Sequence, residues 1–227
     1  MNRNKLVYRW YTFANRNHVM RSERNSMAVI AGVDGCPSVL TIDVPIGLTD
    51  AAARACDLEA RTKLGVPRSS SVFPAPVRST LNATTYANAC RLGAKADGRK
   101  LSRQTWAILR KIREVDTFLR SDLPRQEWVR EVHPEVCFWA WNGNRPMSYR
   151  KKSQDGKAER EALVIPRYGT AYTVSWSTLP AGKFSRDDLL DAFSALWTAE
   201  RVYLVHRFIN SVTNLFTLDL VPSEQLY

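Results

Sequence analysis

Ser38-Val39-Leu40-Thr41-Ile42-Asp43-Val44-Pro45-Ile46-Gly47-Leu48 decides how this chain is read, because an apolar, β-branched run ends there in a carboxylate and a proline-glycine turn. Nine positions earlier, Gly32-Val33-Asp34-Gly35-Cys36-Pro37 repeats the arrangement. An acid at the carboxyl end of a buried strand is costly to hold away from water unless a positive charge faces it, and a divalent cation is a common solution. Asp34 and Asp43 are therefore the first candidate ligands.

Further acids join them. Trp128-Val129-Arg130-Glu131-Val132 reads as a strand running into His133-Pro134-Glu135, which again places a carboxylate, Glu131, at a strand end. Ser185 and Asp188 form a short capping box that opens a helix through Trp197 and Arg201, and Asp188 and Asp191 share one face of it. Carboxylates crowded within about 4 Å repel unless cations intervene, and a pair of Mg²⁺ or Mn²⁺ ions about 3.5–4 Å apart relieves this in phosphodiester hydrolysis. Each acid also has a plainer reading as a surface or helix-dipole residue.

Between these stretches the chain is mostly helical. Thr49 or Asp50 caps a helix that ends at Gly65 and Pro67, and Arg68 to Pro76 reads as an extended loop. Helices follow near 84–96 and 102–119, the second with Trp106, Leu109, Ile112, Val115 and Leu119 on one face. Lys151 to Lys157 reads as a basic, mobile segment, and residues 168–184 as an irregular connection. Strands separated by helices imply a single α/β or α+β domain with a partly parallel sheet.

The chain has 227 residues and a formal charge of +11, which favours an anionic partner, nucleic acid ahead of membrane. Residues 1–26 hold six Lys/Arg against one acid and so supply +5 of that charge. They read as a basic leader, disordered or peripheral, ahead of one domain over 27–227, with Met27 as an alternative start. The leader's Leu6-to-Phe13 run offers one strand to the sheet. Four scattered cysteines read as buried free thiols, and no run suits a membrane span or signal peptide, so a cytoplasmic protein is expected.

Six blocks carry a resemblance: GVDGCP at 32–37, IDVPIGL at 42–48, CDLEAR at 56–61, residues 68–73, EVHPE at 131–135 and DDLLDA at 187–192. In that order they resemble a bacterial family named domain of unknown function 429, over about Met27 to Arg201. The resemblance implies a ribonuclease H-like mixed sheet flanked by helices and a metal-dependent nuclease. Carried over residue by residue, it implies Asp34, Asp43, Asp188 and Asp191 as Mg²⁺ or Mn²⁺ ligands and Glu131 as a further catalytic acid. Arg68, Ser70, Lys151 and Lys152 would contact the substrate phosphates.

The chain departs from the family in the stretch after Arg201, which matches its pattern poorly, and above all between the first two blocks. Only Gly35-Cys36-Pro37-Ser38 separates the first two strand-like runs, whereas a parallel crossover needs a dozen residues or more. A tight hairpin at Cys36-Pro37 would hold Asp34 and Asp43 more than about 10 Å apart at 3.3 Å per residue, and the sheet is then truncated. This leaves a second expectation from another class, a non-catalytic nucleic-acid-binding protein of the same fold. Its base-stacking candidates are Trp106, Trp128, Trp139, Trp141 and Tyr149, for which core packing is the plainer reading. An actin-like phosphotransferase is disfavoured, since two such domains exceed the length.

Overall fold

The computed structural model describes residues 10–14, 17–20, 39–178 and 185–218. Asp34 lies outside the described residues, as does the Gly35-to-Ser38 link. Among the described residues four short strands make one mixed sheet: β1 (Trp10–Ala14), β2 (Asn17–Met20), β3 (Val39–Ile42) and β4 (Val129–Glu131), in the order β2-β1-β3-β4. The basic leader therefore contributes a hairpin, and β1 lies antiparallel to β3 with Trp10 opposite Ile42 and Phe13 opposite Val39.

β3 and β4 are parallel, in register at Leu40↔Val129 and Ile42↔Glu131. Slanted bonds of a parallel ladder join them, from Leu40 N–H to the Trp128 carbonyl at 2.7 Å and from Val132 N–H to the Ile42 carbonyl at 2.9 Å. All four residues of β3 are buried, the condition of a strand covered on both faces. Leu40 and Ile42 join one core with Val129 and the inward face of a long helix, while Thr41 turns to the opposite layer.

Among the described residues six helices flank the sheet: α1 (Ala55–Arg68), α2 (Tyr86–Asp97), α3 (Arg103–Arg120), α4 (Pro134–Trp141), α5 (Gln154–Thr178) and α6 (Arg186–Leu218). α1 starts later than the Thr49 or Asp50 cap predicts. The Thr49 hydroxyl instead donates to the Ala52 carbonyl at 2.9 Å, closing a turn in which Ala52 has a positive φ of 66°. Gly65, at φ 60°, breaks the helical geometry where expected. α2 and α3 match their expected spans, capped by Thr85 and Ser102, each accepting a bond from the N–H three residues on. Leu109, Ile112, Val115 and Leu119 pack from α3 into the first core.

α5 corrects two expectations. Lys151 to Lys157 is not a loop throughout, since the helix begins at Gln154, and the Tyr/Thr/Ser/Gly-rich stretch is helical to Thr178. Pro166 and the non-helical Tyr168 kink it, but Tyr168 and Tyr172 both pack on Phe193 of α6, with ring centroids 5.3 and 5.7 Å away. Aromatic burial outweighs weak helix propensity here. These residues belong to a second core formed by α4, α5 and α6, with Phe138, Val164, Leu190 and Phe193 at its centre. α6 begins as the capping box predicts, the Ser185 N–H donating to Asp188 Oδ2 at 2.9 Å, and continues past Arg201. No helix of the described residues is long and apolar enough to cross a membrane.

Phe193→Ala removes the ring that both tyrosines cover. It should cost about 3–5 kcal/mol of unfolding free energy in a denaturant titration.

Candidate functional site

Parallel pairing places Asp43 and Glu131 at the same edge of the sheet, because Ile42 lies opposite Glu131 and Asp43 is the residue that follows β3. Their surroundings differ. Glu131 Oε2 accepts from the Ile46 N–H at 2.7 Å and from Arg54 Nη1 at 2.6 Å, and its Oε1 accepts from Arg54 Nη2 at 2.8 Å. The same guanidinium donates from Nε to Asp57 Oδ2 at 3.1 Å and from Nη1 to the Ile46 carbonyl at 2.7 Å. Its side chain is only 6% exposed. Burial opposes the charge, yet the hydrogen bonds that Arg54 donates to Glu131 and then to Asp57 outweigh it and hold Arg54 above its ordinary pKa. Arg54 thus ties β4, the turn after β3 and the start of α1 together.

Asp191 is brought to the Asp43 side of the sheet by a different contact. The Thr41 hydroxyl donates to the Ala195 carbonyl at 3.1 Å, which fastens β3 to α6. Asp43 lies two residues beyond Thr41, just after β3 ends, and Asp191 one helical turn before Ala195. Both carboxylates act electrostatically on the buried thiol of Cys137 on α4. Burial pushes this thiol up to about 12 against the partial relief of a hydrogen bond with Thr198, and the Asp43 and Asp191 carboxylates both raise it further. Asp191 is 1% exposed and pairs through Oδ2 with Lys151 Nζ at 3.0 Å.

The other sequence candidates are placed as follows. Asp188 caps its own helix, its Oδ2 accepting from the Ser185 N–H and hydroxyl at 2.9 and 2.7 Å. Arg68 is buried, with Nε and Nη2 donating to the Met147 and Ser148 carbonyls, each at 2.8 Å, so its guanidinium joins α1 to the segment ahead of α5. The Ser70 hydroxyl donates to the Pro67 carbonyl at 2.9 Å, and Lys152 is exposed. Trp106 and Trp128 pack against the first core, and Trp141 stacks on Trp197 at a centroid distance of 5.0 Å. Trp139 lies under Lys63, and Tyr149 is 52% exposed. Cys56 is exposed rather than buried.

Asp43 and Asp191 offer hard oxygen donors of the kind Mg²⁺ and Mn²⁺ prefer, whereas Glu131 is already matched by a buried guanidinium. Among the described residues no group of three or more His, Cys, Asp or Glu is placed to hold a metal ion. The described donors are thus two carboxylates, and a third from the sequence reading, Asp34, falls outside them. Sequence pattern alone does not mark Arg54 or Cys137 as site residues; Arg54 leaves one signal, its position three residues before Asp57 of the CDLEAR block.

A family model described as a protein of unknown function, DUF429, matches residues 7–207, from the leader into α6. No curated protein matches the chain, and no solved structure does.

Arg54→Met leaves Glu131 and Asp57 without their shared cation and should lower stability by about 3 kcal/mol, read as a drop in Tm. The Cys137 thiol should resist alkylation at pH 8 while Cys56 reacts, as mapped by mass spectrometry. Folding holds the Cys137 proton from its ordinary 9.0 up to about 12. Its contribution to stability is whole below pH 9 and is lost as pH rises toward 12, so Cys137→Ala should flatten the alkaline fall in Tm over that window.

Proposed function

The chain belongs to the DUF429 family, and from that footing we propose that it is a nuclease that hydrolyses phosphodiester bonds with the help of a carboxylate-held Mg²⁺ or Mn²⁺. The observation that supports the reading most is the bond from the Thr41 hydroxyl to the Ala195 carbonyl at 3.1 Å, which fastens β3 to α6 and so relates Asp43, just after β3, to Asp191, one helical turn before Ala195. Ligands in open α/β sheets bind outside the carboxyl ends of parallel strands, and both residues lie at that edge. A mixed sheet with helices against it suits a ribonuclease H-like arrangement.

In this reading Asp43 and Asp191 hold the cation, with Asp34 as the third donor. A bound divalent ion would lower the pKa of a coordinated water and stabilise the leaving oxygen. Glu131 takes no ligand role: through Arg54 it sets the Ile46 turn that follows Asp43. Asp188 fixes the start of α6 and so the height of Asp191 along it. Lys151 and Lys152 stand on the segment preceding α5 as contacts for an anionic backbone, in keeping with the net charge of +11. Arg68 is occupied by backbone carbonyls and supports that segment instead. Free cysteines among the described residues suit a reducing compartment, and the cytoplasm is the proposed location.

The non-catalytic alternative draws less support, because Trp106, Trp128 and Trp141 pack within the cores instead of forming a platform for bases.

Single-stranded, duplex, hybrid and junction substrates, incubated with Mg²⁺ or Mn²⁺, test the reading. Asp43→Asn and Asp191→Asn should each reduce cleavage by about a hundredfold or more while the protein stays folded by circular dichroism. Salt-sensitive binding without cleavage by the native chain would instead favour the non-catalytic reading.

A further inference from the structure

The positive charge of the chain is concentrated in two places. Residues 1–26 supply +5, and residues 86–113, which run through α2 and the first three turns of α3, hold eight Lys/Arg against one acid, Asp97. That hairpin carries +7, and the rest of the chain nets −1. Outside the hairpin the guanidinium groups of Arg54, Arg160 and Arg167 each face a carboxylate. Within it Asp97 pairs with Arg99, and Glu114 just beyond it pairs with Arg110. Arg91, Lys95, Lys100 and Arg103 meet no carboxylate among the described residues.

These four exposed cations sit on a braced surface. Ala89 and Gly93 face inward from α2, so Arg91 and Lys95, one turn apart, stand on its outward side with the small, exposed Ala87 and Ala94 beside them. Arg91 Nη2 donates to Asn88 Oδ1 at 2.9 Å. Gly93 lets the loop between the helices lie close against α2, since an added Cβ would stand 2.7 Å from the Arg99 carbonyl oxygen. The Tyr86 hydroxyl donates to the Leu101 carbonyl at 2.8 Å, and the Arg103 guanidinium carbon lies 3.8 Å from the centre of the Tyr86 ring. Loop and helices are thereby held as one unit.

Like charges one turn apart weaken a helix, and an anion from outside the chain relieves them. We infer that the α2–α3 hairpin is the docking surface for the phosphate backbone of a nucleic-acid duplex. Two features select this occupant over others. A helix that lies on a membrane inserts large apolar side chains, and no such side chain is exposed between residues 86 and 113. A single strand is gripped by open aromatic faces, yet Tyr86 and Trp106 pack against the first core and meet each other edge to face at 5.9 Å. Phosphates need only guanidinium forks and ammonium charges already in place, which this surface presents with little order left to lose on binding. The inference rests on the nucleic-acid reading above but not on hydrolysis, because α2 and α3 carry neither Asp43 nor Asp191.

Fluorescence anisotropy of a DNA duplex of about 20 base pairs with the full chain, in EDTA and over about 50 to 200 mM salt, tests it. Arg91→Gln/Lys95→Gln and Lys100→Gln/Arg103→Gln should each weaken binding about tenfold or more. Each should also lower the log–log salt slope by about 2, since one phosphate contact contributes about 0.9. The charge-keeping pair Arg91→Lys/Lys95→Arg should bind as the native chain does. So should Lys63→Gln/Arg201→Gln, which removes equal charge from exposed positions of α1 and α6. Native affinity and salt slope in both hairpin pairs would overturn the inference and leave duplex binding to another surface. An equal loss in the Lys63/Arg201 pair would overturn it too, by making net charge the cause. A native chain that binds vesicles of equal parts phosphatidylserine and phosphatidylcholine but no duplex would overturn both the inference and the nucleic-acid reading.

Discussion

The guanidinium of Arg54 is the point on which the architecture turns. It faces Glu131 at the end of β4, Asp57 in the first turn of α1 and the Ile46 carbonyl in the turn after β3. Ile46 and Asp57 are near Arg54 in sequence, whereas Glu131 lies 77 residues away. Buried ions need close partners to offset desolvation, and each member here has them, Asp57 also accepting from the Ala75 N–H at 3.2 Å. The parallel strand pair is thereby held at the edge where its carboxylates emerge.

A second charge pair at that edge works differently. Asp191 is delivered by α6, which the Thr41 hydroxyl fastens to the sheet, and its partner Lys151 comes from the braced segment ahead of α5. One cation is sealed into the framework and the other reaches in from a half-exposed position. The two apolar cores lie on either side of this seam, the first under α3 and the second among α4, α5 and α6.

Local pattern carried much of this into the sequence. The spacing of Leu109, Ile112, Val115 and Leu119 announced α3, and Ser185 with Asp188 announced the start of α6, because caps and helical periodicity are short-range physics. The same logic failed for residues 168–178, whose Tyr, Thr and Ser content argues against a helix while Phe193 rewards one through ring packing. It failed again at Thr49, whose hydroxyl closes a turn instead of capping α1.

For the candidate site, the sequence by itself determined that Asp43 and Glu131 end strand-like runs and that Asp191 sits on a helix, since each follows from residue order within one element. Tertiary structure alone decided which carboxylate receives which cation. Glu131 receives Arg54 from 77 residues away and Asp191 receives Lys151 from 40 residues away. Charge pairing depends on distance and burial after the chain has folded, and neither is encoded in the local spacing of the acids.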